Sequence, residues 1–360
     1  MSAPTQPVGV ADADTDAVDA CLEDFFARRI SRSHPYGEPY RRLWRSIRDA
    51  ARGGKRLRPA LLLLAYRHVA QVEEGELPRD AVAAAAALEL LHTAFVVHDD
   101  VIDHDLVRRG RPNVAGQAVV DAIDAGARSS AARDYGTAAA ILAGDLLLSA
   151  AHTLVAGLDV PADRRRALLE LLDECVMRTA AGELVDVWSA VATVPDEADV
   201  LAVVTNKTAA YTFGAPLQAG AILAGADHAT LTGLRTAGIH LGVAYQLRDD
   251  VLGVFGDEST TGKSTIGDLR EGKETLLIAH ARTDTRWRDV EHLFGRPDLE
   301  ESEARLLRSV IAHSGALARV EQRIAAELAR AHEMLRTLGM PHPLLDTVLT
   351  ITDPAGGRRR

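Results

Sequence analysis

Apolar and polar positions recur along most of the chain with the spacing of amphipathic helices. From residue 17 onward, apolar side chains return every three or four positions, and glycine or proline turns separate the periodic stretches. No alternating run of β-branched residues lies between turns, so the pattern predicts an all-α protein. The predicted helices cover residues 17–32, 38–50, 57–73, 79–104, 135–157, 162–190, 197–225, 227–254, 273–283, 301–313, 316–338 and 342–351.

The same pattern predicts the domain organisation. Residues 1–16 are small, acidic and without periodicity, which indicates a disordered tail. No linker rich in proline, glycine or serine interrupts residues 17–352, so we expect one all-α domain there, followed by a basic tail at 353–360. With 360 residues and 47% hydrophobic side chains, the chain has enough apolar material for a large core.

Composition and charge indicate which kinds of binding partner and which cellular location the chain favours. Lys+Arg total 41 and Asp+Glu 51, a net charge of −10 that does not favour nucleic acids or anionic membranes. The cysteines, Cys21 and Cys175, are too few for a disulfide scaffold. The longest apolar stretches, near 81–97 and 138–151, contain polar residues, and we expect neither a signal peptide nor a transmembrane segment. The sequence thus predicts a soluble, cytoplasmic protein.

Two predicted helices end in similar acidic segments, Asp99-Asp100-Val101-Ile102-Asp103 and Asp249-Asp250-Val251-Leu252. Carboxylates three and four residues apart share one helix face and repel each other, so they need a positive partner. Carboxylate oxygens together with phosphate oxygens suit Mg²⁺. For the first segment alone, a solvated helix end is an alternative, but the second segment makes it less favourable. We expect the two helix ends to face one cavity.

Several basic segments accompany these carboxylates. The glycine turn Gly53-Gly54-Lys55-Arg56-Leu57-Arg58-Pro59 carries three cations directly before a helix, which suits recognition of a diphosphate. Each further basic position is ambiguous by itself; these are Arg108, Arg109, Lys207, Lys263 and Lys273. Together with the acidic segments, they predict a substrate with a diphosphate group and a hydrocarbon body.

These motifs, taken together, resemble the trans-isoprenyl diphosphate synthases (polyprenyl synthetases) over residues 50–280. The matching segments are Gly53–Pro59, Leu90-Leu91-His92-Thr93, Asp99–Asp103, Arg108-Arg109-Gly110-Arg111-Pro112, Lys207-Thr208, Tyr245-Gln246-Leu247-Arg248-Asp249-Asp250 and Lys263. The resemblance implies a helical bundle of the isoprenoid synthase type around a central cavity, and a homodimer. It implies two substrates, isopentenyl diphosphate and an allylic diphosphate (dimethylallyl, geranyl or farnesyl).

The resemblance also implies a role for each matching residue. The metal ligands would be Asp99, Asp100, Asp103, Asp249 and Asp250, holding three Mg²⁺ ions once diphosphate is bound. The allylic diphosphate would be gripped by Arg108, Lys207 and Lys263, and isopentenyl diphosphate by Lys55, Arg58, His92 and Arg109. Thr208 and Gln246 would complete the substrate-binding set. The catalytic residues would be Asp99, Asp103, Lys207 and Asp249.

The chain departs from the family pattern at two places. The second acidic motif usually reads Asp-Asp-x-x-Asp, but position 253 is glycine. We expect Asp249 to carry the metal there with help from Asp250, and Asp257 is a candidate substitute through water. The family's Gly-Gln-x-x-Asp segment appears with Glu183 before Asp186, and these two are either outer metal ligands or a buried polar pair.

The predicted product is geranylgeranyl diphosphate. Phe95 lies one helical turn before Asp99, whereas Ala94 is small, and in the family two aromatic residues at these positions stop growth at C15. Farnesyl diphosphate is the alternative product. A class I terpene cyclase would leave Gly53–Pro59 and His92 without a role. A His-Asp metallophosphohydrolase built on His98-Asp99 would do the same for Lys55 and Lys263, and a non-catalytic subunit would not need the first acidic motif.

Overall fold

The fold was analysed in a computed structural model, which describes residues 12–72, 77–192, 194–256 and 265–340. Helices dominate these residues, as the periodicity predicts. The first helix, α1, begins at Asp12, inside the segment predicted as a disordered tail, so the predicted boundary at residue 16 is wrong. The rest of that tail, the predicted helix at 342–351 and the basic tail at 353–360 lie outside the described residues.

The chain divides into two compact units. The first, here called the N-terminal unit, consists of residues 10–172 and 219–225. Its helices are α1 (Asp12–Arg32), α2 (Glu38–Ala51), α3 (Leu57–Ala70), α4 (Arg79–Ile102), α5 (Val114–Asp124), α6 (Ser129–Ala156) and the first third of α7 (Ala162–Ala192). Two short antiparallel strands, β1 (Val107–Arg108) and β2 (Arg111–Pro112), form a hairpin after α4.

The core of the N-terminal unit forms around α4. Every residue from Ala84 to Leu91 is buried, because this helix is apolar on all sides and is surrounded by other helices. One of them is α6, where Gly144 leaves room for the imidazole of His98, whose Nε2 lies 3.3 Å from the carbonyl oxygen of Ile141. A Cβ at Gly144 would stand 2.0 Å from that nitrogen. His98 therefore packs against α6.

The second unit, here called the C-terminal unit, covers residues 173–218 and everything from 226 onward that the structure describes. It contains the rest of α7, α8 (Glu197–Val203), a π-helical segment (Val204–Gly214), the start of α9 (Ala215–Ala224) and α10 (His228–Phe255). The remaining helices are α11 (Gly267–Glu271), α12 (Leu276–Ala281), α13 (Glu301–His313) and α14 (Ala316–Thr337). Short 3₁₀ turns lie at Thr285–Asp289 and Glu291–Leu293 in this unit, and at His34–Tyr36 in the N-terminal unit.

Glycines allow α10 to pack closely on the π-helical segment. A Cβ at Gly238 would lie 2.6 Å from the Cα of Gly214, and one at Gly242 would lie 2.5 Å from the Cα of Ala209. Real side chains do not tolerate such distances, so only glycine permits this approach. The π-helical segment is thereby held directly against α10, the helix that carries the second acidic motif.

The periodicity missed or misjudged several elements, among them the β1–β2 hairpin and α11, which it did not predict. It did not predict α5, whose N-cap Asn113 accepts a hydrogen bond from the backbone nitrogen of Gly116 at 2.9 Å. The predicted helix at 197–225 is three segments, since the π-helical turns interrupt it. The predicted helix at 273–283 is the shorter α12, because the Lys273 backbone nitrogen closes α11 on the carbonyl of Asp268 at 3.0 Å.

Two described helices, α4 and α6, are long and apolar enough to cross a membrane by length and composition alone. The apolar window of α4 is 67% buried inside the protein, as expected for the core helix of a globular unit, while that of α6 is 44% buried.

Candidate active site

The first acidic motif lies at the C-terminal end of α4. Asp103 caps the helix, with its backbone nitrogen 2.9 Å from the carbonyl oxygen of Asp99. The β1–β2 hairpin then turns the chain back, and Arg108 donates to Asp100 Oδ1 at 2.6 Å and to Asp99 Oδ2 at 3.3 Å. The positive partner that these carboxylates require thus comes from the loop that follows them.

Burial distinguishes the carboxylates of this motif. Asp100 is 3% exposed, whereas Asp99 is half-buried and Asp103 is exposed. Burial raises the pKa of Asp100 to about 6, and the Arg108 guanidinium opposes that rise. Asp99 and Asp103, which the resemblance assigns as metal ligands, are therefore the accessible pair. Asp100 holds Arg108 in place.

A second group of cations gathers around His92, about two turns before Asp99 on α4. Burial, followed by the charges of Arg58, Arg109 and Arg108, holds the pKa of His92 well below its usual value. The imidazole is therefore neutral near pH 7 and can both donate and accept a hydrogen bond. The Arg109 guanidinium lies beside Gly54, 3.7 Å from where a Cβ would stand. Arg58, His92, Arg109 and the glycine turn thus form one basic pocket wall.

The glycine turn places its three cations differently. Gly53 and Gly54 have φ values of +75° and +90°, which glycine adopts without a steric cost. Lys55 is exposed and Arg58 half-buried, so both are accessible to a ligand. Arg56 is only 7% exposed and points into the protein. The sequence grouped Arg56 with the diphosphate-binding cations, but the structure removes it from that group.

The second acidic motif lies near the end of α10. Asp250 is 3% exposed, and its Oδ1 accepts hydrogen bonds from Gln246 Nε2 at 3.0 Å and from Lys273 Nζ at 3.2 Å. Burial raises the pKa of Asp250, while the negative charge of Asp250 raises that of Lys273. Gln246, predicted to bind substrate, contacts Asp250. The half-buried Asp249 is the more accessible carboxylate here.

The space left by Gly253 is filled by another acidic side chain. Asp268, on α11, places its Oδ2 2.1 Å from the position that a Cβ of residue 253 would take. The carboxylate thus lies against the α10 backbone where the family motif has its third aspartate. Its charge also contributes to the raised pKa values of Asp250 and Lys273. Asp257, the candidate substitute, lies outside the described residues, as does Lys263.

Lys207 and Thr208 lie on the π-helical segment. The Lys207 Nζ is 2.8 Å from both Glu183 Oε2 and Asp186 Oδ2 on α7. Gly182 makes this possible, because a Cβ there would come within 2.5 Å of the Lys207 backbone nitrogen. Glu183 and Asp186 are therefore ion-pair partners of Lys207. Thr208 is half-buried beside it.

Sequence reasoning missed one residue and one structural element of these groups. Asp268 carried no motif signal, and only the glycine at 253 indicated that another carboxylate was needed. The π-helical geometry of Val204–Gly214 also left no trace in the periodicity, although such turns are frequent at functional sites.

The chemistry of the donor sets fits Mg²⁺. Within the described ranges, no three histidine, cysteine or acidic side chains converge on one point. Mg²⁺ in phosphate-transfer sites keeps waters and binds through one or two carboxylates plus substrate oxygens, so it needs no closed protein cage. Asp99 with Asp103, and Asp249 with Asp268 close to the same helix end, provide hard oxygen donors of that kind. The nearby cations suit the anionic oxygens of a diphosphate.

Comparison with known proteins agrees with these two acidic and several basic groups. The chain belongs to the polyprenyl synthetase family, whose model matches residues 41–312. Enzymes of this family are trans-prenyltransferases, and the chain is one of them.

Three similar proteins carry the names of different prenyl diphosphate synthases. A geranylfarnesyl diphosphate synthase of Aeropyrum pernix is 35% identical over 286 residues, covering 79% of this chain and 83% of its own. A (2E,6E)-farnesyl diphosphate synthase of Mycobacterium tuberculosis is 35% identical over 225 residues, covering 62% and 56%. The crystal structure of geranylgeranyl pyrophosphate synthase from Corynebacterium glutamicum, complexed with isoprenyl diphosphate and magnesium, superposes with a TM-score of 0.86. It is 28% identical and covers 97% of this chain and 99% of its own. The all-α isoprenoid synthase fold predicted from the sequence is confirmed.

Proposed function

We propose that this protein is an Mg²⁺-dependent synthase that condenses isopentenyl diphosphate with an allylic diphosphate, with geranylgeranyl diphosphate as the main product. The observation that carries the proposal is the basic pocket wall of Arg58, His92 and Arg109 beside Gly54, which consists of residues other than those of the acidic motifs. An enzyme that only ionises one diphosphate has no use for this second anion-binding group. A terpene cyclase is therefore the weaker reading.

In the proposed reaction, the allylic C–O bond breaks first and the electron pair leaves with the diphosphate. Mg²⁺, when bound, supplies neutralisation of the diphosphate oxygens. Asp99, Asp103 and Asp249 would hold the ions, and Asp268 would supply the carboxylate that Gly253 lacks. Arg108 and Lys207 would exchange their present carboxylate partners for diphosphate oxygens. Lys263, which lies outside the described residues, would bind the same diphosphate.

The second half of the reaction depends on the other cations. Lys55, Arg58 and Arg109 would hold the diphosphate of isopentenyl diphosphate, and neutral His92 would add a hydrogen bond. The isopentenyl double bond then attacks the allylic cation, a C–C bond forms, and a proton leaves to the departed diphosphate. No protein nucleophile takes part. The role of these residues is to hold two anionic substrates so that the reacting carbons meet.

The chain length of the product would depend on the side chains below Asp99. Ala94 is completely buried and Phe95 is half-buried on α4. With one bulky side chain of the two, the growing tail passes beyond C15 and stops at C20. Farnesyl diphosphate remains the second candidate, because a relative of similar identity bears that activity in its name.

We also propose that the protein is a soluble, cytoplasmic homodimer. Apolar side chains are exposed on α5 and α6, including Ile123 at 49%, Tyr135 at 43% and Leu142 at 56%. A second copy covering this face would explain why α6 is apolar yet less buried than α4. Light scattering after gel filtration measures the mass, and a monomer would contradict this assignment.

One incubation tests the proposed function. The purified protein is given isopentenyl diphosphate with dimethylallyl, geranyl or farnesyl diphosphate, with Mg²⁺ or with EDTA, and the prenyl alcohols are identified after dephosphorylation. We expect Mg²⁺-dependent elongation with geranylgeraniol as the main alcohol. Hydrocarbons formed from the allylic substrate alone would indicate a cyclase, and absence of any product would contradict the proposal.

A further inference from the structure

The glycine turn carries one arginine whose side chain is buried, Arg56, at 7% exposed. Arg56 stands between Lys55 and Leu57 and is the N-cap residue of α3, with φ +48° and ψ +39°. This left-handed conformation is uncommon for a residue with a side chain. It turns the Arg56 side chain inward, while Lys55 before it remains exposed. The alternation of the two cations is thus a property of the backbone at residue 56.

Inside the protein, the Arg56 guanidinium joins three helices. Its Nη1 donates to the carbonyl oxygen of Ala51, the last residue of α2, and to Glu89 Oε2 on α4, both at 3.0 Å. Its Nε donates to Asp19 Oδ1 on α1 at 2.7 Å. The Arg56 and Glu89 side chains are each 7% exposed, whereas that of Asp19 is 48% exposed. The Arg56–Glu89 contact is therefore a buried ion pair.

This ion pair links the two segments that carry the basic pocket wall. Glu89 lies three residues before His92 on α4, and Arg56 lies between Lys55 and Arg58 on the turn. The four residues assigned to isopentenyl diphosphate come from the turn, from α4 and from the β1–β2 hairpin, whose Arg109 lies against Gly54. A shift of the turn relative to α4 would therefore separate Arg58 from His92.

A buried ion pair adds little to stability compared with two apolar side chains of the same size, because both charges lose their hydration. Glu89 also keeps a buried Oε1 that has no hydrogen-bond partner among the residues described. A gain in stability is thus a weak explanation for an arginine and a glutamate at these positions. A better explanation is that the ion pair fixes the position of the turn relative to α4. Arginine suits that role, since its planar group binds several acceptors in set directions.

We propose that Arg56 and Glu89 are positioning residues for isopentenyl diphosphate, which set the turn against α4 without touching the substrate. This inference rests on the proposed function, because it concerns the binding site for the second substrate. Lys55 and Arg58 act directly on the diphosphate, and Arg56 acts through them. Loss of the ion pair should weaken binding of isopentenyl diphosphate and leave binding of the allylic diphosphate nearly unchanged.

The test compares three variants with wild type: Arg56→Lys, Glu89→Gln, and the double variant Arg56→Met/Glu89→Leu. The double variant removes both buried charges together and leaves only one charged group, the half-exposed Asp19, without its partner, which protects against misfolding. Steady-state kinetics give KM for each substrate, and calorimetric titration with isopentenyl diphosphate gives its Kd directly. We expect KM and Kd for isopentenyl diphosphate to rise about tenfold in every variant. That is the usual loss when one charge-assisted hydrogen bond to a ligand is weakened. KM for the allylic substrate should stay within about twofold.

Glu327→Gln is the matched control. Glu327 is another buried carboxylate, 2% exposed and hydrogen-bonded to His240, Arg323 and Arg330, and it contacts no residue assigned to a substrate. We expect it to lower the melting temperature without separating the two KM values. Asp19→Asn, at the exposed partner of Arg56, should also leave both KM values near wild type.

The outcomes separate this inference from the proposed function. If wild type does not condense the two substrates, the proposed function fails. If wild type is active but folded variants keep the wild-type KM and Kd for isopentenyl diphosphate, or raise both KM values equally, the positioning role is wrong. Should the single variants fail to fold, the double variant is judged by the same criterion.

Discussion

The two acidic helix ends reach similar chemistry by different routes. At the end of α4, the three carboxylates and their cation Arg108 come from ten consecutive residues, Asp99 to Arg108. At the end of α10, the chain supplies Asp249 and Asp250, while Asp268 and Lys273 come from α11 and the residues after it. The first site is local in sequence, whereas the second depends on tertiary packing. A motif search therefore finds the first completely and the second only in part.

The largest effect is expected where the carboxylates are local. Asp99→Asn or Asp103→Asn removes one charged ligand of the proposed metal site, and we expect kcat to fall roughly hundredfold or more. Circular dichroism should remain that of wild type, since both side chains are accessible. The measurement is turnover at saturating Mg²⁺, with Asp105→Asn, an exposed neighbour, as the control. Near-normal turnover in either variant would contradict the proposal that the carboxylates at the end of α4 bind Mg²⁺.

The second site should show a graded series. We expect Asp249→Ala to lose the most activity, Asp268→Ala to lose less, and Asp257→Ala to change little. The physical reason is that Asp268 occupies the space beside Gly253, one turn after Asp249, and Asp249 is the accessible carboxylate of its pair. Turnover measured over a range of Mg²⁺ concentrations gives the order. Equal losses of activity in the three variants would contradict the assignment of Asp268 as the carboxylate that replaces the aspartate missing at position 253.

A smaller effect should separate the cations. Lys55→Ala and Arg58→Ala should raise KM for isopentenyl diphosphate about tenfold, the usual value of one charge-assisted contact. Lys207→Ala and Lys263→Ala should raise KM for the allylic substrate instead. Loss of Lys207 also leaves Glu183 and Asp186 without their shared cation, so its melting temperature is recorded as well. A uniform rise in both KM values would contradict the division into two diphosphate sites.

Substitutions on α4 one turn before the acidic motif should have the smallest effect on turnover. They should nevertheless change the chain length of the product. Ala94→Phe should shorten the product and Phe95→Ala should lengthen it, as judged by chromatography of the dephosphorylated alcohols. Because Ala94 has no exposed surface, its variant also needs a stability measurement, with Ala94→Leu as a smaller control. Wild-type product distributions in both variants would place the end of the cavity elsewhere.

Particular residues show which parts of the fold and of the candidate site could be predicted from the sequence. Helices with a regular apolar period, such as α4 and α10, were predicted within a few residues, because burial of one face or all faces determines them. The π-helical segment was not, since glycines at 238 and 242 on another helix create the close packing that holds it. Arg56 looked like Lys55 and Arg58 until its backbone conformation was known. Asp268 became visible only through the space beside Gly253.

The central comparison is tested most directly by moving the carboxylate from α11 back to α10. Mg²⁺ is titrated by calorimetry, with inorganic diphosphate present, into wild type, Gly253→Asp, Asp268→Ala and the double variant. We expect each single change to weaken Mg²⁺ binding, because Gly253→Asp collides with the Asp268 carboxylate and Asp268→Ala removes it. The double variant, with an aspartate at 253 and room to hold it, should recover affinity toward wild type. Losses in the double variant equal to the sum of the two single losses in free energy would contradict the account.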